Sequence, residues 1–247
     1  MQIVSGAEAK RGREYELTRE TGRKQWRTQY IGARTREIGL EPQAFLAEMG
    51  ANGLVVPHFH EVNQFQVLIA GSGSLGRSPI TTIALHYADN HTAYGPIQAG
   101  PAGLSFFTIR AQSDSRPVYL HSPDYKSFLK PSKRRYLLAT DIVLSTEPVL
   151  QHRTEVALES LLKDADFSDG LGAYMLRLGA DMKAVGPDPK TTSGQYYLVV
   201  GGSLECQDTT YRPWSLAFVK PDEQPLMACA GPLGLEALVL NFPKLAA

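Results

Sequence analysis

The stretch FLAEMGANGLVVPHFHEVNQFQVLIAGSGSL, residues 45–75, decides the fold because the chain repeats it. Residues 174–204 read YMLRLGADMKAVGPDPKTTSGQYYLVVGGSL and align with it without gaps, down to the shared closing Gly-Ser-Leu. A second pair, AGPAGL at 99–104 and AGPLGL at 230–235, follows in the same order at nearly the same separation. Two matched pairs in one order indicate a duplicated supersecondary unit.

The segments around these repeats are patterned as short strands. Runs of β-branched and aromatic residues alternate with turn residues, and the chain holds 22 glycines and 16 prolines. Many short strands with regular turn signals favour a sandwich or a barrel. The runs lie at 65–70, 81–87, 104–110, 195–200, 215–219 and 236–242. We therefore predict an all-β chain with two barrels in tandem.

The duplication also suggests where the two barrels begin and end. We expect an N-terminal barrel with an arm over residues 1–125 and a C-terminal barrel over residues 166–247. The link between them, residues 126–165, contains TEVALESLLKD at 154–164. The spacing of its apolar residues predicts a short helix, with Thr154 as its N-cap.

Composition argues against several classes of protein. The 25 Lys and Arg residues balance the 25 Asp and Glu residues, so nothing favours nucleic acid as a partner. Cys206 and Cys229 form no C-x-x-C motif and are expected to be inert thiols. The N-terminus has no apolar signal-peptide core, and no run of about 18 apolar residues predicts a membrane span. We expect a cytoplasmic protein.

The histidines mark the first copy as the one that carries chemistry. Four of the six lie within 34 residues, from His58 to His91. His58 and His60 are spaced i, i+2, so a strand places both imidazoles on one face. Neutral imidazole is a preferred ligand of zinc, iron, nickel and copper. The second copy has Pro187 and Pro189 at the matching positions, so we expect it to have lost the site.

The spacing around this pair resembles the first motif of the cupin superfamily. That motif is a glycine, about five residues, H-x-H, three or four residues, an acid, six residues and a glycine. Here the order is Gly53, His58, His60, Gln64 and Gly71. The resemblance implies two cupin-type β-sandwich barrels of the double-stranded β-helix kind, the second degenerate. Gln64 replaces the acid, and its carbonyl would assist the metal without adding charge.

Two segments compete to supply the third histidine that the resemblance implies. The second cupin motif matches Gly95 and the PAG triplet at 101–103, but it places Phe106 where the histidine belongs. The repeated AGPxGL segment leads directly into a late strand, so we expect the ligand to precede it. His91, in a turn-like D-N-H-T run, is the predicted third metal ligand, and His86 is the alternative.

Aromatic residues near these histidines suggest a substrate pocket. Tyr94 lies close to His91 in the sequence and is the predicted general acid. The expected pocket residues, for which burial in the core is the alternative interpretation, are Phe59, Phe65, Gln66, Tyr87 and Phe106.

The resemblance implies an enzyme with one divalent metal. A site of neutral ligands resembles those of three-histidine cupins such as the thiol dioxygenases, and this resemblance implies iron, with zinc, manganese, nickel or copper as alternatives. Such a site leaves coordination positions that can bind oxygen atoms. We expect a metal-dependent dioxygenase acting on a small organic substrate. A metal-dependent isomerase or lyase is the alternative, as is a non-catalytic barrel that binds a sugar or regulatory ligand. Association through edge strands would make the protein a homodimer.

Overall fold

Antiparallel strands make up most of the regular structure. The computed structural model describes residues 1–18, 23–35, 37–163 and 167–245. In chain order the strands are β1 (Gln2–Val4), β2 (Arg13–Thr18), β3 (Arg23–Ile31), β4 (Gln43–Met49), β5 (Leu54–Val55), β6 (His58–Phe59), β7 (Gln64–Leu75), β8 (Ser78–Thr81), β9 (Ala84–Ala88), β10 (Ile97–Arg110), β11 (Val118–Tyr119), β12 (Tyr136–Ala139), β13 (Ala157–Ser160), β14 (Gly172–Leu178), β15 (Lys183–Val185), β16 (Gln195–Cys206), β17 (Thr209–Tyr211), β18 (Leu216–Val219) and β19 (Met227–Asn241). The helices are α1 (Gly6–Ala9) and α2 (Glu147–Gln151), with 3₁₀ turns at Lys10–Gly12, Tyr125–Phe128 and Pro189–Thr191.

The chain divides into two units with matching sheets. The N-terminal unit, residues 10–142, has the strand order β12-β9-β7-β10-β4-β3-β2. The C-terminal unit, residues 1–9 and 143–247, has the order β1-β18-β16-β19-β14-β13. In both units the strands at the centre are those carrying the repeated sequence. The predicted all-β class is therefore confirmed.

The first strand lies in the C-terminal unit. β1 pairs antiparallel with β18, from Gln2 opposite Phe218 to Val4 opposite Leu216. Residues 1–9 therefore do not lie with residues 10–125, with which the sequence analysis grouped them. The pairing gives the edge of β18 a partner for its backbone N–H and C=O groups.

The prediction of a helix over residues 154–164 is wrong for the residues of this segment that the structure describes. Ala157–Ser160 instead forms β13, which pairs with β14. Asp164 lies outside the described residues. Pairing with a sheet edge satisfies the backbone of this segment, and such tertiary context overrides helix propensity. The helix of the link is α2, five residues long, with Thr146 as its N-cap.

Alternation along β7 separates core from cavity in the N-terminal unit. Phe65 and Val67 are completely buried, and the Phe65 ring packs 4.8 Å from that of Tyr87. Gln64 and Gln66 point to the opposite face, where they line a cavity. Farther along β7, Gly71 has φ +83°, and a Cβ there would overlap the carbonyl oxygen of Gly103 on β10. The two strands therefore approach closely only because glycine stands there.

Candidate functional site

A cavity of about 780 Å³ opens into the interior of the N-terminal barrel. Strands β6, β7 and β10 supply its polar wall. Five polar residues with side chains in hydrogen-bond contact form the centre of that wall, and we call them the polar cluster: His58, His60, Gln64, Tyr94 and Arg110. All five are less than 10% exposed. Asp114 lines the cavity beside them.

His58 is held by its backbone and by its ring. Its N–H donates to the carbonyl of Tyr94 at 3.1 Å, and the N–H of Tyr94 donates back at 3.0 Å. Its Nδ1 lies 2.8 Å from the carbonyl oxygen of Val56, which can only accept. Nδ1 therefore carries the proton, and Nε2 accepts from the hydroxyl of Tyr94 at 2.9 Å.

His60 pairs with a buried carboxylate. Its Nδ1 lies 2.6 Å from Oδ2 of Asp114, and Nη1 of Arg110 lies 3.3 Å from the same oxygen. Burial alone would raise the pKa of Asp114. The interactions with His60 and Arg110 outweigh burial and hold that pKa below its usual value. The carboxylate is therefore ionised and fixes the proton of His60 on Nδ1.

Gln64 and Arg110 bind each other. Nε and Nη2 of Arg110 donate to the Gln64 oxygen at 3.1 and 2.9 Å. Gln64 Nε2 donates to the hydroxyl of Tyr94. Nη1 of Arg110 donates to the side chain of Gln43 at 2.7 Å. The oxygen that the sequence analysis expected to assist a metal therefore accepts two hydrogen bonds from a guanidinium.

His86, the alternative ligand, lies on the far side of Gln66. Its Nδ1 is 2.9 Å from the Gln66 oxygen, and its ring centroid is 4.9 Å from that of Tyr94. Burial lowers the pKa of His86 from 6.5 to about 3, so the ring is neutral. His86 lines a second cavity of about 30 Å³ whose other walls, apart from Gln66, are apolar.

His91, the predicted third ligand, does not line the large cavity. It sits in a turn with φ +57°, and its backbone N–H donates to the carbonyl of His60 at 2.7 Å. Its ring packs 6.0 Å from that of Phe59. Burial lowers its pKa. Its role as a metal ligand stays a prediction that this arrangement does not support.

The expected pocket residues fall into two groups. Gln66 on β7 and Phe106 on β10 line the large cavity. Phe59, Phe65 and Tyr87 are completely buried and lie outside the cavity lining. These three side chains serve the core, which was the alternative interpretation for the aromatic residues.

The donor set does not complete the expected three-histidine metal site. Among the described residues, no group of three or more His, Cys, Asp or Glu side chains could hold a metal ion. His58 and His60 supply two imidazoles, but Phe106 offers no donor and Gln64 is bound to Arg110. The guanidinium lies 3.4 Å from Nε2 of His60 and would repel a cation there.

Sequence reasoning missed two residues of this wall, Arg110 and Asp114. Arg110 follows from alternation, because β10 turns Phe106, Thr108 and Arg110 towards the cavity at every second position. Asp114 comes four residues after Arg110, beyond the end of the strand. An ionisable residue inside a predicted strand was the available signal, since buried charges require partners.

Comparison with known proteins identifies the fold. No family model and no curated protein matches the sequence. A crystal structure of a candidate dioxygenase from Nostoc punctiforme is 10% identical, with a TM-score of 0.65, covering 100% of this chain and 84% of that one. A deletion mutant of Bacillus subtilis oxalate decarboxylase is 11% identical, with a TM-score of 0.56 and coverage of 100% and 78%. The Escherichia coli pirin YhhW in complex with nickel(II) is 12% identical, with a TM-score of 0.56 and coverage of 99% of both chains.

The chain therefore has the cupin fold, as the spacing around His58 and His60 predicted. At 10% to 12% identity these likenesses concern the fold and not the activity. Within the described ranges, no helix combines the length and the apolar character that crossing a bilayer requires.

Proposed function

We propose that the N-terminal barrel is an enzyme that moves a proton on a small organic substrate, as an isomerase or lyase does. The observation that supports this most is the His60–Asp114 pair, which lies beside Tyr94 in one cavity. The ring centroids of His60 and Tyr94 are 6.3 Å apart. A base and an acid on one cavity wall are the parts that proton transfer needs.

His60 is suited to act as the base. Asp114 holds the proton on Nδ1 when Nε2 accepts a proton from a substrate C–H. Its negative charge, 2.6 Å from Nδ1, offsets the repulsion between the imidazolium that forms and the Arg110 guanidinium 3.4 Å from Nε2. Arg110 keeps Asp114 ionised and in place. The C–H electron pair stays with the substrate as an enolate, which is the usual intermediate of isomerisation next to a carbonyl.

Tyr94 is suited to act as the acid. Its hydroxyl donates to Nε2 of His58 and accepts from Nε2 of Gln64. A donor to this oxygen stabilises the phenolate that remains after the proton has left. In an isomerisation, the proton that Tyr94 gives and the proton that His60 takes balance each other.

Deuterium uptake tests this function. The protein is incubated in D₂O with a panel of small oxo acids and oxo sugars, and loss of the proton signal next to the carbonyl is followed by NMR. We expect Tyr94→Phe and His60→Gln each to slow uptake about 100-fold or more, the contribution usual for a general acid or base. Tyr211→Phe, in the C-terminal unit, is the matched control. Unchanged rates in both variants, or no uptake with any compound, would contradict the proposal.

A metal-dependent dioxygenase is the second candidate, and one observation favours it. Metal-bound histidines usually donate their other ring N–H to a carbonyl or carboxylate, as His58 does to Val56 and His60 does to Asp114. Iron, when bound, would supply activation of O₂. The further ligands would then come from outside this donor set.

Elemental analysis separates the two candidates. Untagged protein is compared with the His58→Ala/His60→Ala double variant and with His121→Ala/His152→Ala as control. About one iron, manganese, nickel or copper per chain, lost only in the first variant, would support the dioxygenase, whereas zinc would indicate Lewis-acid chemistry instead. Absence of metal after reconstitution with iron would reject it. Failure of both tests would leave a non-catalytic barrel that binds a small ligand.

A further inference from the structure

We infer that the cavity recognises organic acids that carry a second oxygen acceptor. In this inference Gln66 binds that acceptor, Arg116 binds the carboxylate, and His86 positions Gln66. The inference rests on the proposed function and names its substrate class. Gln66 lines both cavities.

Gln66 presents hydrogen-bond donors to the large cavity. It stands on β7 opposite His86 on β9 and Thr108 on β10, and it is 8% exposed. Its oxygen accepts from His86, which leaves its NH₂ group for the cavity side. In the described part of the chain, Nε2 of Gln66 forms no hydrogen bond. A ligand that brings an oxygen acceptor into the cavity can therefore accept a hydrogen bond from these N–H donors.

His86 fixes which end of Gln66 faces the cavity. A neutral imidazole has one N–H, and the hydrogen bond to Gln66 places it on Nδ1. If the amide turned over, Nδ1 would have to accept and the proton would move to Nε2, which is buried without a hydrogen-bond partner among the described residues and would become an unsatisfied N–H. His86 is completely enclosed between Gln66 and the rings of Tyr94 and Tyr136, so it cannot move to another partner.

Arg116 is the residue of the cavity wall that can bind the carboxylate of an organic acid. Of the described arginines, four line the cavity: Arg27, Arg34, Arg110 and Arg116. Arg27 and Arg34 lie within 4.0 and 2.5 Å of Glu16, and Arg110 binds Asp114. Within the described ranges, Arg116 makes no ion pair or hydrogen bond. It is exposed, so it can bind a carboxylate without the cost of burying a charge.

The rest of the wall suits an apolar spacer between the two polar groups. Phe45, Ile97, Phe106 and Tyr119 contribute apolar surface between the polar residues. A volume of about 780 Å³ accepts a ligand longer than a two-carbon acid. The expected ligand class is therefore a short-chain oxo or hydroxy acid in which carbons separate the acceptor from the carboxylate.

Calorimetry with matched probes tests recognition without requiring turnover. The probes are 4-oxopentanoate, 5-oxohexanoate and 6-oxoheptanoate, each with the alkanoate of the same length and its own primary amide. We expect at least one oxo acid to bind about tenfold more tightly than its alkanoate, the value of one good hydrogen bond. Its amide should bind about tenfold more weakly than the acid. No binding of any oxo acid, or equal affinities within each pair, would overturn the inference.

Variants assign the two contacts. Gln66→Leu should remove the preference for the oxo group and keep the affinity for the alkanoate. Arg116→Gln should remove the preference for acid over amide, and Arg212→Gln in the C-terminal unit is its control. A preference that survives in the corresponding variant would overturn that assignment. If binding behaves as expected while no probe takes up deuterium, the recognition stands and the proposed reaction fails.

The positioning role of His86 has its own readout. His86→Asn keeps a side-chain N–H near the position of Nδ1 and should keep the oxo preference. His86→Leu should lose that preference while its alkanoate affinity stays within twofold of the wild type. A merely structural role would weaken both ligands equally in His86→Leu, and that result would overturn the positioning role.

Discussion

The buried His86 makes the stability of the N-terminal unit depend on pH in a way that can be calculated. Its pKa falls from 6.5 in the unfolded chain to about 3 in the fold because burial disfavours the charged ring. Between these two values the unfolded chain binds the proton and the folded chain does not. Above pH 6.5 the ring is neutral in both states, so His86 does not change the free energy of unfolding. As the pH falls from 6.5 towards 3, protonation of the unfolded chain progressively lowers that free energy.

The size of this effect follows from the two pKa values. Each unit of separation is worth about 1.4 kcal/mol, and between pH 7 and pH 5 His86 accounts for a loss of about 2 kcal/mol in the free energy of unfolding. His86→Gln retains a side-chain amide donor and has no proton to gain. We expect its free energy of unfolding to fall by about 2 kcal/mol less than that of the parent over this interval.

Single-tryptophan variants allow the measurement to follow one unit. The chain holds two tryptophans, Trp26 in the N-terminal unit and Trp214 in the C-terminal unit. In a Trp214→Phe background, urea unfolding followed by Trp26 fluorescence reports the N-terminal unit at pH 7 and pH 5. His121→Gln is the control because His121 is exposed. Equal losses in the parent and in His86→Gln would refute the calculation and the neutral, enclosed state of His86.

Three further substitutions test the architecture, each by urea unfolding with the tryptophan of its own unit. Glu236→Ala should destabilise the C-terminal unit by about 2–3 kcal/mol, since Arg177 loses the buried partner 2.8 Å from its Nε and keeps the more exposed Glu159; a loss below about 1 kcal/mol would contradict this. Phe107→Ala should cost the N-terminal unit about 3–5 kcal/mol because Phe107 is fully buried, and a cost near zero would show that its site collapses. Gly71→Ala should cost more than about 1 kcal/mol because of its φ of +83° and its contact with Gly103; a gain in stability would contradict the close approach of β7 and β10.

Local and repeated patterns in the sequence predicted the fold well. The repeat beginning at residue 45 predicted a sheet in each unit, because each copy contains the same central strands in the same order. The H-x-H spacing placed His58 and His60 on the cavity wall because strand alternation depends only on neighbouring residues. The helix at 154–164 failed because a sheet edge, which lies elsewhere in the sequence, captured that segment as β13. The homodimer and the cytoplasmic location stay predictions.

The contents of the site depended on contacts between distant residues. Asp114 meets His60 across 54 positions, and Arg110 meets Gln64 across 46. Such pairs leave no periodic trace in the sequence. His91 was favoured over Phe106 because the repeated AGPxGL segment leads directly into a late strand. The structure instead places Phe106 in the cavity lining and His91 outside it.

In the C-terminal barrel, two residues that align with β7 of the first copy are buried and packed against their own barrel. Tyr197 is 1% exposed and aligns with Leu68 of the first copy, and burial raises its pKa. A Cβ on Gly186 would overlap its hydroxyl, so the ring fills the space beneath that segment. Gln195, the counterpart of Gln66, donates to the carbonyl of Pro187 at 3.1 Å. The glutamine amide that lines the cavity in the first copy is thus bound to the backbone in the second. This supports our proposal that the second barrel is degenerate and that the function lies in the first.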